Sequence, residues 1–193
     1  MSLILINIAV FLMDHVFNFP IMRSFYLNHG NPQWWQFLTC TFCHANWAHL
    51  SSNLFQLLVF GRFVEDQEGA FGVWATYIIT GLGGSIFSYL LLPAYSGGGL
   101  LGAGKAVTCT LGASGAIFGL FVVSVLVRLT SLNIQKLVES AILGQFVVTQ
   151  ILNETKLQVA GAAAVTSVSH AAHLGGALVG VVMIMLLSRI KEP

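Results

Sequence analysis

The chain has 193 residues, 56% of them hydrophobic and 8% charged. A water-soluble domain places charge on about a quarter of its residues, so eight Lys and Arg with seven Asp and Glu exclude a soluble globular protein and a disordered chain alike. A net charge of +1 offers no field for nucleic acid, and three cysteines, an odd number, build no disulfide framework. What remains is an all-α, polytopic membrane protein with one domain over residues 1–193.

Six spans are expected, because a crossing needs about 20 apolar residues and charge is missing from long intervals. The first runs from Ser2 to Phe19 and ends at the polar pair Asp14-His15 and Pro20. The second runs from Asn46 to Phe63, the third from Phe71 to Leu92, and the fourth from Ser114 to Val127. The fifth, Leu137 to Leu152, is the weakest, since it holds Glu139, Gln145, Thr149 and Gln150; the sixth is Ser167 to Ser188. Residues 20–45 form a long loop rich in aromatics, placed at the headgroup level. Residues 93–113 are rich in glycine and lead directly into Ser114. Five cations (Arg62, Arg128, Lys136, Arg189, Lys191) against three (Arg23, Lys105, Lys156) put both ends on the cytosolic, stromal or matrix side. The first residues lack a cationic region and a small-residue cleavage site, so they read as a span and not a signal peptide.

Three clusters carry chemistry. In Gly112-Ala113-Ser114-Gly115 a glycine-rich loop meets a helix start, where unpaired N–H groups face a developing oxyanion; the same residues also suit a plain capping serine. In Ala172-His173-Leu174-Gly175-Gly176 an ionisable group sits inside a span, where it is costly and faces a cavity or a partner. His173, Gly176, Ala177 and Gly180 share one helical face, and Gly115 and Gly119 form a small-residue pair, so two backbones can approach closely. The third cluster is His44, His49 and Asn53; the last two are four residues apart and lie on one face, suited to oxyanion donation or to interhelical hydrogen bonds.

Together these segments resemble the rhomboid family of intramembrane serine proteases. Trp35, His44 to Leu50 and Asn53 look like the family's passage from its first loop into its second helix, with Gly61 and Glu65 following. Gly112 to Gly119 looks like the nucleophile motif and Ala172 to Gly176 like the base motif, in the family's order. The resemblance implies a six-helix bundle, Ser114 as nucleophile and His173 as general base. It assigns the oxyanion to the Ser114 N–H, His49 and Asn53, with His44, Gly112, Gly115 and Phe118 in support. Gln36 stands where the family commonly has an arginine, Cys40 at a frequent histidine, Phe118 at a frequent tyrosine, and His170 at a frequent asparagine, where it competes for the base role. Leu143 to Phe146 and Ser167 to Gly180 look most like plastid members, so the membrane is a plastid inner envelope or else a bacterial or other organellar one.

The implied reaction is hydrolysis of a peptide bond in or near a transmembrane segment of another membrane protein, reached from the bilayer beside the fifth span. No metal or cofactor is expected. Cys40-Thr41-Phe42-Cys43-His44 matches a haem-attachment pattern by coincidence, His170 and His173 lack the H-E-x-x-H of a metalloprotease, Cys109 reads as a small apolar residue, and Asn153-Glu154-Thr155 is a formal glycosylation sequon. Two alternatives remain: an inactive rhomboid-like protein that binds membrane clients, and a small transporter.

Overall fold

A computed structural model of the chain describes residues 2–96, 106–129, 138–139, 141–142, 144–145, 149 and 170–190. Helix α1 (Ser2–His15) is apolar around most of its circumference. It stops four residues before the expected end, because the Val16 and Phe17 N–H groups both close on the Leu12 carbonyl and Asn18 turns to a φ of 52°. Pro20 then opens a 3₁₀ turn (Pro20–Phe25), followed by strand β1 (Leu27–Asn28), the short helix α2 (Gln36–Thr39) and a second 3₁₀ turn (Cys40–Phe42).

The second and third expected spans are two arms of one helical element, α3 (Trp47–Leu91). Asn46 caps it: its side-chain oxygen accepts from the His49 N–H at 2.9 Å. Gly69, with φ 73° and ψ 178°, breaks the element. That conformation suits glycine alone, and the break falls just beyond the charged run from Arg62 to Glu68. The chain doubles back there, since a Cβ on Gly61 would lie 3.7 Å from Val73 while Thr41, ahead of the first arm, meets Tyr77 in the second. Each arm, about 22 residues, is about 33 Å long, close to the thickness of a hydrocarbon core.

Two strand pairs, not foreseen in an all-α reading, tie the loops together. β1 pairs antiparallel with β4 (Cys109–Thr110), and β2 (Tyr95–Ser96) with β3 (Ala106–Val107). Helix α4 (Ser114–Leu129) follows, and helix α5 (His170–Ile190) closes the described chain. The positions described between residues 138 and 149 are helical, while the rest of the fifth expected span and the sequon lie outside the described residues. By length and composition, Trp47–Leu91 and His170–Leu187 are apolar and long enough to cross a membrane; Ser2–His15 and Ser114–Arg128 are shorter apolar helices.

Polar side chains are buried beside the apolar core, and large apolar side chains line the outside. Asn7, Thr76, Thr80, Ser85 and Ser88 are inside, whereas Leu5, Phe55, Phe71, Leu90 and Leu186 face outward. The interior polar groups cross-link elements. The Tyr77 hydroxyl donates to the Thr41 carbonyl at 2.9 Å and contacts the Asn7 amide, and the Thr80 hydroxyl reaches the Ala116 carbonyl at 3.2 Å. At the centre, α3, α4 and α5 meet backbone to backbone. A Cβ on Gly84 would lie 3.2 Å from the Gly115 Cα, one on Gly180 3.1 Å from the Gly119 carbonyl oxygen, and one on Gly176 would fall onto the Gly115 carbonyl.

Candidate active site

Ser114 opens α4 at the end of a loop that is tied down on both sides. Thr110 of β4 pairs with Leu27, and the Gly112 N–H donates to the Cys40 carbonyl at 2.9 Å. Gly112 takes a φ of 129°, and a Cβ there would sit 2.7 Å from the His49 Cε1, so both the conformation and the space require glycine. The first helical hydrogen bond runs from the Ile117 N–H to the Ala113 carbonyl, which puts Ser114 in the first turn, half-buried, among N–H groups with no helical acceptor.

His173 lies one turn into α5, 5% exposed. Its ring stacks on Phe118 at 4.3 Å between centroids and 10° between planes. Phe118 and Ser114 are four residues apart on α4 and share a face, so the imidazole stands on the face that begins with the serine. Neither His173 ring nitrogen has a hydrogen-bond partner among the described residues, and no hydrogen bond joins it to Ser114. His170 is exposed and edge-on to His173, with centroids 6.2 Å apart.

Two members of the third cluster, His44 from the loop before α3 and His49 from its first turn, come together beside Gly112. His44, 1% exposed, packs edge-on against His49 with centroids 5.1 Å apart. Burial, and then the neighbouring His49, push the His44 imidazole down to about 3, so it is neutral at ordinary pH. His49 is held by its ring: the Ala45 N–H donates to Nδ1 at 3.4 Å. An accepting Nδ1 carries no proton, so in the neutral ring the proton is on Nε2, the nitrogen beside Gly112. Asn53, one turn along α3, is buried with its amide nitrogen unpartnered among the described residues. The structure thus gathers Gly112, Ser114, His44 and His49, and separately stacks Phe118 on His173, with Gly115 and Gly176 joining the two helices.

Gln36 is one of the departures from the family pattern in the sequence. It is buried, accepts the Asn28 and Gln33 N–H groups at 3.3 and 3.0 Å, and donates to the Ser24 carbonyl at 3.1 Å. It therefore staples the first loop together with Thr39, which donates to the Phe25 carbonyl at 2.9 Å; the signal in the sequence is an uncharged amide where an arginine is common. Glu65 pairs with Arg62 at 3.5 Å on the surface. Cys40 and Cys43 are buried thiols, Cys40 pushed up to about 12 by burial and Cys43 further, which leaves both unreactive. Among the described residues no three His, Cys, Asp or Glu side chains are grouped to hold a metal ion.

Comparison with known proteins follows the same lines. Residues 31–190 match the family model described as "Rhomboid domain". The chain is 45% identical to "Rhomboid-like protein 11, chloroplastic" of Arabidopsis thaliana, over 98% of this chain and 65% of that protein. It is 30% identical to "Rhomboid protease AarA" of Providencia stuartii, over 93% of this chain and 69% of that protein. It is 32% identical to "RHOMBOID-like protein 6, mitochondrial" of Arabidopsis thaliana, over 78% of this chain and 42% of that protein. The chain spans about two thirds of the length of the first and second of these and less than half of the third.

Proposed function

Given that this chain belongs to the rhomboid family of helical membrane proteins, we propose that it is an intramembrane serine endopeptidase. Its single domain would cross the bilayer six times, through α1, the two arms of α3, α4, the segment at residues 137–152 and α5. The observation that carries the reading is the stack of His173 on Phe118, one turn from Ser114 on the same face of α4.

In this reading the Ser114 hydroxyl attacks the carbonyl of the scissile bond while His173 takes its proton and then delivers it to the leaving amine. No carboxylate orients the imidazole among the described contacts, so Phe118 does so by stacking. The tetrahedral oxyanion would be met by the Ser114 N–H, the Nε2–H of His49 and the Asn53 amide. A substrate segment must leave helical form to expose its backbone, which favours helix-weak transmembrane segments. The relative named chloroplastic, at 45% identity, supports a plastid membrane.

The test is cleavage of a helical membrane substrate by reconstituted protein carrying Ser114→Ala, His173→Ala or His170→Ala. Activity should fall to background in the first two and survive in the third. Undiminished turnover by Ser114→Ala would overturn the serine mechanism, and loss confined to His170→Ala would move the base. A wild type that cleaves nothing and does not react with a fluorophosphonate probe would favour the client-binding alternative.

A further inference from the structure

The peptide group between His44 and Ala45 is gripped from both ends. Its N–H donates to the His49 Nδ1 at 3.4 Å, the contact that assigns the His49 proton to Nε2. Its carbonyl lies 2.7 Å from the Nε2 of His15, the last residue of α1. A carbonyl only accepts, so the His15 Nε2 carries the proton and donates. His15 is itself fixed, its ring tilted on Phe11 with centroids 4.5 Å apart and its Nε2 3.6 Å from Asp14, whose carboxylate also accepts from the Tyr26 hydroxyl. A hydrogen bond accepted at the carbonyl polarises the amide and strengthens donation by the N–H of the same peptide. One chain of hydrogen bonds therefore runs from His15 through peptide 44–45 to the Nδ1 of His49, whose Nε2 faces Gly112.

We propose that His15 is a positioning residue for His49: acting through the 44–45 peptide, it sets the ring's tautomer and aim so that Nε2–H points toward the Ser114 loop. The residue touches neither nucleophile nor base. Its activity readout rests on the proteolytic reading above, but its effect on the His49 proton does not.

The experiment uses the full chain in detergent or reconstituted vesicles. His15→Phe keeps a ring on Phe11 without the donor, His15→Gln keeps an N–H at similar reach, and His15→Met stands in if the phenylalanine variant does not fold. Against a transmembrane substrate, His15→Phe should lower kcat about 10- to 100-fold with KM within about twofold, and His15→Gln should recover most of that. In a His49→Ala background, already slowed about 100-fold, His15→Phe should cost no more than about a further twofold, since both act on one donor. ¹⁵N-histidine spectra should give His49 as the Nε2–H tautomer in the wild type and a mixture in His15→Phe. A folded His15→Phe with wild-type kcat, a glutamine variant no better than phenylalanine, additive losses in the double variant, or an unchanged His49 tautomer would each overturn the proposal. A wild type that never cleaves fails the proteolytic reading instead, and the tautomer measurement then decides the proposal alone.

Discussion

Several buried side chains in this protein are neutral polar groups with a partner in another element. Asn7 joins Tyr77, Thr80 joins Ala116, and Gln36 joins Ser24. In a bilayer there is no water to replace such a partner. Burial holds His44 neutral, and the consequence is a pH dependence of stability. Its imidazole has an ordinary value of 6.5 and is pushed down to about 3 by burial and by His49. Between those limits the unfolded chain binds a proton that the folded chain refuses, so stability is fully present above about 6.5 and drains as pH falls. At pH 5 the loss is about 2 kcal/mol. Melts in detergent at pH 8 and pH 5 should show a gap for the wild type that shrinks by about that amount in His44→Gln. His29, lowered by burial in the same direction, keeps part of the gap in the variant. An identical gap in both proteins would remove His44 from the account.

Between elements, what decides the packing is glycine. The three central helices approach closely enough that a Cβ on Gly176 would clash with the Gly115 carbonyl, whereas one on Gly180 would sit 3.1 Å from the Gly119 oxygen and need only a small shift. Gly176→Ala should therefore cost about 1–3 kcal/mol of stability and a larger share of activity, because moving α5 moves His173 off Phe118. Gly180→Ala should cost less of both. Thermal melts and turnover measured together test this order, and equal effects at the two positions would refute it. The small-residue spacing was legible from the chain alone, as was the division of α3, since the charges from Arg62 to Glu68 cannot sit in hydrocarbon. The pairing of Leu27 with Thr110, the grip of Gln36 on the first loop and the bond from His15 to the His44 carbonyl were not. Each joins residues whose own types specify no partner: a loop backbone, an amide and a helix-end histidine become meaningful only once tertiary packing brings them together.

For the whole molecule, the charges among the described residues sort to two ends. Arg62, Glu65 and Asp66 flank the turn at Gly69, and Arg128 lies over the Phe63 ring, paired with Glu139 at 3.6 Å. Ser2 bonds Trp74 at this same end. Asp14, Arg23, the aromatic loop and β4 form the other, about one helix arm away, or about 33 Å. We propose, from the distribution of Lys and Arg along the sequence, that the Gly69 end faces the cytosolic, stromal or matrix side. Cys109, exposed in β4, is a native reporter for the opposite side. Cys40 and Cys43 do not compete with it, since burial holds both thiols protonated well above working pH. Burial also raises the Cys109 thiol, so labelling should be run near pH 8.5. In sealed, oriented vesicles an impermeant maleimide should reach Cys109 from one side only, and a cysteine placed at Arg62 in a Cys109→Ser chain only from the other. Labelling of both positions from the same side would mean that the arm from residue 47 to residue 68 does not cross the bilayer, and would remove the membrane-spanning geometry on which access of a transmembrane substrate to Ser114 depends.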